Sequence, residues 1–233
     1  MLAVEKINTF YEDAQVLFDV SLEIREGEVV AFLGRNGAGK TTTIRSIMGL
    51  TPPRSGRVMF KGQDIAGLPP YTIANRGVGF VPDNRRIFPT LSVRQNLEIA
   101  RKANNGERQG WTLERIYEHF PKLQEMEDRR GEVLSGGEQQ MLTIARTLMG
   151  NPDLVLLDEP TEGLSPLMVM EVMEIIKELK EKGETILLVE QNSTLALTVS
   201  QRAYILENGH VVHAGPAGEL AGNREVKQKY LGI

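Results

Sequence analysis

The chain lacks cysteine, any long apolar run and any excess of basic residues. With no cysteine among its 233 residues it can form no disulfide, which is typical of a reducing compartment. Apolar runs such as residues 186–189 fall far short of the roughly 20 residues that a membrane-spanning helix needs. A formal net charge of −4 and no long basic run argue against nucleic acid as a main partner.

The length and the N-terminus narrow the class further. A chain of 233 residues buries a substantial core and allows one domain or two tightly joined lobes. Residues 1–5 carry no secretory signal, so we expect a cytoplasmic protein.

A glycine-rich loop follows the apolar stretch 29–33 and leads into a helix predicted over 42–48. Backbone N–H groups of such a loop turn inward on phosphates, and the helix N-terminus adds positive potential. The strand, loop and helix favour this interpretation over a plain turn, and they predict a bound nucleoside triphosphate. We expect Lys40 at the β- and γ-phosphates, Thr41 on Mg²⁺ and Thr42 at the α-phosphate. The loop reads Gly34, Arg35, Asn36, Gly37, Ala38, Gly39, Lys40, Thr41.

An acidic pair, Asp158 and Glu159, follows the apolar run 154–157. Such a run predicts a strand buried on both faces. Asp158 is then placed to hold Mg²⁺ through water, and Glu159 to take a proton from the attacking water, which is typically worth ~10²–10⁴ in rate. Two adjacent carboxylates often form only a solvated turn, but the upstream phosphate loop favours the catalytic interpretation.

A second glycine run, Ser135-Gly136-Gly137-Glu138, precedes an apolar-periodic segment over 137–149. The spacing of Ser135 and Glu138 predicts a capping box at the start of a helix, and taken alone it indicates only an ordinary capped helix. A helix that opens with Ser-Gly-Gly also exposes N–H groups, which makes an anion site. If the phosphate loop of the same chain holds one ATP, this second anion site is expected to bind the γ-phosphate of another chain's ATP.

The remaining pattern predicts a mixed fold. Residues 1–80 are predicted to form mainly strands, with a loop over 64–70. Residues 91–150 are predicted to be mostly helical, with a break at Asn104-Asn105-Gly106 and an amphipathic helix over 111–120. From residue 152 onward strands and helices alternate, which predicts a parallel α/β sheet. The predicted elements there are a strand over 154–157, a helix over 169–182 and a strand over 185–189.

These motifs together resemble the nucleotide-binding subunit of ATP-binding cassette (ABC) transporters, over nearly the whole chain from Tyr11 to Gly232. The resemblance implies an α/β P-loop NTPase with a RecA-like parallel sheet core, an N-terminal antiparallel β subdomain and an inserted α-helical subdomain. It also implies a head-to-tail dimer, in which each ATP lies between one chain's Lys40 loop and the other chain's Ser135, Gly136, Gly137 and Glu138. The implied organisation is one ABC ATPase domain over 1–233, with a core lobe of 1–90 and 151–223, a helical subdomain over 91–150 and a short tail over 224–233.

Other family positions carry over by the same resemblance. Tyr11 stands where the family stacks an aromatic ring on adenine, with Val16 nearby; a core or edge-strand tyrosine is the alternative. Asp83 replaces the Gln that most relatives place near Mg²⁺, and it still offers a metal ligand through water. Gln191 replaces a γ-phosphate-contacting His. Because an amide does not titrate, catalysis then rests on Glu159, with Gln191 as a positioning group.

At these positions the chain resembles the smaller ATPase subunit of the bacterial high-affinity branched-chain amino acid importer. It does so also at Arg85-Arg86 and at the run Glu138-Gln139-Gln140. Urea and short-chain amide importers share much of the pattern. The implied partners are transmembrane permease subunits, a homologous second ATPase subunit (a homodimer being the alternative in isolation) and, indirectly, an extracytoplasmic solute-binding protein. The implied location is the cytoplasmic face of the bacterial plasma membrane. Arg85-Arg86 forms either a solvated basic turn or a permease contact.

Two other classes remain open. A soluble cassette ATPase acting on ribosomes or DNA usually has two cassettes or long coiled-coil insertions, and this chain has neither. A non-hydrolysing interaction module is disfavoured because Lys40, Asp158 and Glu159 are all present.

Overall fold

The computed structural model of the protein describes residues 1–102, 110–223, 225 and 228–229. The break predicted at Asn104-Asn105-Gly106 and most of the tail over 224–233 lie outside these residues. The strands that the structure describes form two sheets.

The first part of the chain is mainly β-structure. Its elements in order are β1 (Leu2–Tyr11), β2 (Ala14–Ile24), β3 (Val29–Leu33), α1 (Lys40–Ile47), β4 (Ser55–Phe60), β5 (Gln63–Asp64), α2 (Pro70–Asn75) and β6 (Val78–Val81). Helices follow, namely α3 (Val93–Glu98), α4 (Leu113–His119), α5 (Pro121–Glu125), a short 3₁₀ turn (Gly131–Val133) and α6 (Gly136–Met149). The rest alternates, with β7 (Leu154–Asp158), α7 (Pro166–Glu181), β8 (Ile186–Glu190), α8 (Ser193–Val199), β9 (Arg202–Glu207), β10 (His210–Pro216) and α9 (Ala217–Gly222).

One sheet is antiparallel and lies at the N-terminal side of the fold, with strand order β2-β1-β4-β5. Its strands alternate buried and exposed positions; Leu2, Val4 and Ile7 of β1 are buried, for example. Such alternation is expected of a sheet with one solvated face. The predicted antiparallel β part is confirmed.

The other sheet forms the centre of the fold, with strand order β10-β9-β3-β8-β7-β6. All of its neighbouring pairs are parallel except β9 and β10. Every residue of β3, β7 and β8 is buried, because apolar clusters cover both faces of the sheet. Leu33 pairs with Glu190, and Asp158 pairs with Val189. The carboxyl ends of β3, β7 and β8 are therefore level with one another.

The helices α3 to α6 lie between β6 and β7 in the chain, as the inserted helical part predicts. Some helices differ from the sequence-based prediction. Helix α4 begins at Leu113, two residues later than predicted, because the Thr112 side chain caps it. Helix α7 begins at Pro166, because Ser165 caps it. Helix α2 was not predicted, since its short sequence from Pro70 shows no clear apolar periodicity. Among the described residues, no helix has both the length and the apolar character to cross a membrane.

Candidate active site

The glycine-rich loop joins β3 to α1, and its shape depends on glycine. Gly34 and Gly39 have φ values of 156° and 108°. A Cβ atom on Gly34 would collide with the carbonyl oxygen of Leu206, and one on Gly39 would lie 2.7 Å from Leu17 Cδ2. Gly37 differs, because a Cβ built there would meet no atom within 4 Å. The middle of the loop thus borders open space at the N-terminus of α1, where backbone N–H groups favour an anion.

Lys40, the first residue of α1, is buried, with 4% of its surface exposed. Its Nζ lies 2.9 Å from Glu159 Oε1 and donates to the Arg35 carbonyl oxygen at 3.3 Å. A buried charge needs such partners, since desolvation would otherwise disfavour the charged form. The structure therefore brings two predicted catalytic residues into direct contact.

Thr41 and Asp158 also meet across the site. Thr41 Oγ1 donates to Asp158 Oδ1 at 3.2 Å, while Asp158 Oδ2 is buried and has no hydrogen-bond partner among the described residues. The Asp158 pKa is raised from 3.8 to about 7, mainly by burial. The negative charges of Asp83 and Glu159 contribute to this rise, while the Thr41 hydrogen bond and the Lys40 charge oppose it. A buried carboxylate oxygen without a donor, next to a threonine hydroxyl, offers the oxygen ligands that Mg²⁺ prefers. These residues therefore fit a divalent cation.

Glu159 occupies an unusual backbone conformation. Its φ is 47°, a left-handed value that costs a non-glycine residue about 1–3 kcal/mol and is concentrated at functional sites. Its amide N–H donates to the Val189 carbonyl oxygen at 2.9 Å. The turn directs the Glu159 carboxylate toward Lys40 rather than into solvent. Asp83 is exposed, and it lies near enough to influence Asp158 by charge.

Glu190, which sequence reasoning missed, connects the ends of β7 and β8. Only 3% of its surface is exposed, and its Oε1 accepts hydrogen bonds from the Thr161 hydroxyl at 2.7 Å and the Thr161 amide at 3.2 Å. Burial raises the Glu190 pKa, although the hydrogen bonds from Thr161 and the Asn192 backbone oppose that rise. The sequence did offer a signal for Glu190, because this carboxylate ends a strand that is buried on both faces. A carboxylate in such a position needs hydrogen-bond donors nearby.

Gln191 is exposed and follows Glu190 directly. It lines a cleft of about 330 Å³ together with Glu159, Thr161, Glu162 and Glu190. Gln191 and Glu159 therefore line the same cleft. The negative charge of Glu159 also raises the Glu162 pKa.

Tyr11 and Val16 lie on the β1–β2 hairpin. Tyr11 pairs with Ala14 next to the hairpin turn, and 44% of its surface is exposed. The Val16 carbonyl oxygen would lie 3.6 Å from a Cβ atom on Gly39. The hairpin therefore contacts the phosphate loop through Val16, with the Tyr11 ring free to contact a ligand.

The glycine run at the start of α6 forms the predicted capping box. Ser135 Oγ accepts from the Glu138 amide at 3.4 Å, and Glu138 Oε2 accepts from the Ser135 amide at 2.6 Å. The atoms nearest to a Cβ built on Gly136 belong to Arg85, and those nearest to one on Gly137 belong to Met168. Within one chain, the first turn of α6 therefore packs against Arg85 and the start of α7, while Ser135 remains exposed.

A glycine loop after β3 whose Lys40 and Thr41 meet Glu159 and Asp158 defines a P-loop nucleoside triphosphatase. The sequence model of the family described as ABC transporter matches residues 17–162. The chain therefore belongs to the ABC transporter family, and it is an ATP-hydrolysing transport ATPase.

Two relatives are similar to this chain over nearly its whole length. The high-affinity branched-chain amino acid transport ATP-binding protein BraG of Pseudomonas aeruginosa is 40% identical over 232 residues, covering 100% of both chains. The lipopolysaccharide export system ATP-binding protein LptB of Escherichia coli K12 is 36% identical over 234 residues, covering 99% of this chain and 97% of LptB.

Two solved structures show the same fold. A nucleotide-free ATP-binding cassette from an ABC transporter superposes with a TM-score of 0.82 at 27% identity, covering 100% of this chain and 98% of that one. A dimeric cassette bound to ADP and Pi gives a TM-score of 0.79 at 27% identity, covering 93% of this chain and 99% of that one. ATPase subunits of this family dimerise and work with transmembrane permease subunits.

Proposed function

We propose that this chain binds Mg²⁺ and ATP at a site shared with a second ATPase chain and that hydrolysis energises the import of branched-chain amino acids. Two contacts support the proposed ATP hydrolysis. Lys40 forms an ion pair with Glu159 at 2.9 Å, and Thr41 forms a hydrogen bond with Asp158 at 3.2 Å. These contacts join the phosphate loop to the acidic strand end and leave open space at Gly37.

Nucleotide binding rearranges the Lys40 ion pair. Triphosphate oxygens attract Lys40 Nζ, which then leaves Glu159 Oε1 for the β- and γ-phosphates. The backbone N–H groups of residues 34–42 surround the phosphates at the N-terminus of α1. The exposed Tyr11 ring stacks on adenine, beside Val16.

Thr41 and Asp158 hold the cation, with Asp83 as a ligand through water. When bound, Mg²⁺ would supply positive charge that neutralises the charge developing on the phosphate oxygens. The buried Asp158 Oδ2 would gain a partner in this arrangement, and the positive charge of the cation would oppose the burial that raises the Asp158 pKa.

Glu159 is the general base. Once Lys40 has moved to the phosphates, the Glu159 carboxylate is free to accept a proton from the attacking water. Gln191, in the same cleft, orients that water or the γ-phosphate by hydrogen bonding, because its amide carries no titratable proton.

The second half of each site comes from the other chain. Ser135, Gly136, Gly137 and Glu138 of one subunit close over the γ-phosphate held by the other, where the positive end of α6 favours the anion. We propose that residues 1–90 and 151–223 move as a core lobe, that 91–150 move as a helical lobe, and that 224–233 form a short tail. Closure of the dimer draws the helical lobes together, and hydrolysis separates them.

The working assembly places this chain on the cytoplasmic face of the bacterial plasma membrane. It pairs with a homologous second ATPase subunit, or with a second copy of itself in isolation, and the pair docks on two permease subunits. An extracytoplasmic solute-binding protein delivers the solute on the other side.

The substrate assignment is supported by the full-length similarity to BraG at 40% identity and by Asp83 and Gln191, which stand where most relatives carry Gln and His. Two alternatives are a urea or short-chain amide importer and, since LptB is 36% identical, a lipopolysaccharide exporter.

The experiment isolates the membrane complex through a tag on this chain, reconstitutes it in liposomes and supplies the solute-binding protein. Phosphate release and uptake are measured with leucine, isoleucine, valine, urea and acetamide. The proposal expects stimulation by the three branched-chain amino acids, and none with a Glu159→Gln complex as the matched control. Stimulation by urea or acetamide alone, or co-purification of a lipopolysaccharide export complex, would contradict the assignment.

A further inference from the structure

We propose that Arg85 is a positioning residue that couples the two ATP sites of the dimer. It does so by joining the loop after Glu159 to the first turn of α6 within one chain. This inference rests on the proposed shared site, because it needs the partner's γ-phosphate to lie at the start of α6.

The Arg85 guanidinium lies between two backbone segments that have no side chain at the contact. Arg85 Nη2 donates to the Glu162 carbonyl oxygen at 2.7 Å. A Cβ atom on Gly163 would lie 3.4 Å from Nη2, and one on Gly136 would lie 2.7 Å from Nη1. Glycine at both positions therefore leaves the space that the guanidinium fills.

The loop that carries Arg85 is attached to α6 at a second point. Arg146, near the end of α6, donates to the Arg86 carbonyl oxygen, and its guanidinium lies 5.1 Å from the centre of the Phe88 ring. Burial lowers the pKa of Arg146. Because both ends of α6 hold residues 85–88, this loop follows α6 when the helix moves relative to the sheet.

The Glu162 carbonyl lies on the loop that holds the general base. The Glu162 amide donates to the Glu159 carbonyl oxygen at 3.1 Å, which closes a turn at the end of β7. A displacement of Arg85 is therefore transmitted to Glu159 through a single turn of chain. An adjacent contact strengthens the link, because a Cβ on Gly137 would collide with Met168 at the start of α7.

The direction of coupling follows from charge. A γ-phosphate that reaches the first turn of α6 from the other subunit attracts the Arg85 guanidinium, since a charged acceptor binds an arginine more strongly than a neutral carbonyl does. Because a guanidinium has several N–H donors, Arg85 keeps its bond to the Glu162 carbonyl while it contacts the phosphate, and it draws the turn that carries Glu159 into its catalytic position. Occupancy of one ATP site thereby sets the geometry of the base in the other.

The test compares Arg85→Ala with Arg86→Ala in the complete ATPase dimer. Both changes remove one positive charge, but the Arg86 side chain donates to Asn84 and not to the Glu159 loop. Arg85→Ala is expected to lower kcat by roughly tenfold to a hundredfold, the range that misplacement of a catalytic group produces. The KM for ATP should stay within about twofold, since substrate binding uses other groups. The Hill coefficient for ATP should fall toward one.

A conservative substitution at position 85 distinguishes a positioning role of Arg85 from an effect on folding. Arg85→Lys keeps a donor for the Glu162 carbonyl and should recover part of kcat, with the melting temperature of every variant measured alongside. Equal losses of kcat in Arg85→Ala and Arg86→Ala would overturn the proposal, because a charge effect alone would then suffice. So would wild-type kcat and Hill coefficient in Arg85→Ala.

A Ser135→Arg variant distinguishes failure of the coupling from failure of the shared site. Loss of turnover in Ser135→Arg together with unchanged kinetics in Arg85→Ala would remove the coupling and leave the shared site standing. Full turnover in Ser135→Arg would remove the shared site, and the Arg85 coupling with it.

Discussion

Lys40 Nζ and Glu159 Oε1 lie 2.9 Å apart, and both side chains are largely buried. This ion pair joins the cation that is expected to bind phosphate to the carboxylate that is expected to act as base. Each group satisfies the charge of the other, so neither is left unpaired away from water. A phosphate oxygen that engages Lys40 therefore frees the Glu159 carboxylate at the same time.

Replacing Glu159 by Gln is expected to separate ATP binding from hydrolysis. The amide cannot accept the proton of the attacking water, so phosphate release should fall by ~10²–10⁴. ATP should still bind, because Lys40 no longer has to leave a carboxylate. Phosphate release and retention of labelled ATP measure the two effects. Glu162→Gln, on the same loop and exposed, is the matched control and should keep most of the activity. Near-wild-type hydrolysis by Glu159→Gln would contradict its role.

Two serines with the same capping geometry separate helix stability from function. Ser92 caps α3 and Ser135 caps α6, each in a full capping box. Ser92→Ala and Ser135→Ala should each lower the free energy of unfolding by about 1 kcal/mol. The KM for ATP should rise in Ser135→Ala alone, because in the proposed shared site that hydroxyl also faces the partner's nucleotide. Denaturant unfolding and steady-state kinetics test both statements, and equal kinetic effects at the two positions would remove Ser135 from the site.

The stability of the protein without nucleotide and metal should fall as the pH rises from about 4 to about 7. Burial raises the Asp158 pKa from 3.8 to about 7, so in this interval the folded protein binds more protons than the unfolded chain. Stability decreases with pH wherever the folded state binds the additional proton. Asp158→Asn cannot titrate, and it should stabilise the protein at pH 8 by at most about 4 kcal/mol while changing it little at pH 4. Denaturant unfolding at both pH values measures the difference. If Asp158→Asn changed the free energy of unfolding equally at both pH values, the pKa of the Asp158 carboxyl would not be raised in the folded protein.

The bond between Glu190 and Thr161 should contribute to both stability and catalysis. Thr161→Val removes the hydroxyl donor and should cost about 1–3 kcal/mol of unfolding free energy. Glu190→Gln keeps an acceptor oxygen and should be milder than Glu190→Ala. Because the groups are in contact, the Glu190→Ala/Thr161→Val double variant should lose less stability than the sum of the single variants. The same variants should lower kcat more than they raise KM, since Thr161 lies within the turn that begins at Glu159. Additive stability losses would show that the two side chains are not coupled.

Features that depend on nearby residues could be predicted. The capping box of Ser135 and Glu138, the glycine loop and the buried strand before Asp158 all follow from hydrogen bonds or side-chain patterns within a few residues. Boundaries were less accurate, as at α4 and α7, where Thr112 and Ser165 caps decide the first residue. Helix α2 was missed because a single short helical segment beginning at Pro70 has too little periodicity to be recognised.

The sequence by itself determined which chemical groups this protein carries and the local turn or helix in which each stands. Only the tertiary structure decided which of them meet. Lys40 contacts Glu159, Glu190 holds Thr161 and Arg85 bonds to the Glu162 carbonyl, and these pairs are distant in the chain. They meet because parallel pairing aligns the carboxyl ends of β3, β7 and β8, and because α6 packs against β6, which the loop carrying Arg85 follows. Such contacts depend on strand register and helix packing, which no local pattern of residues encodes.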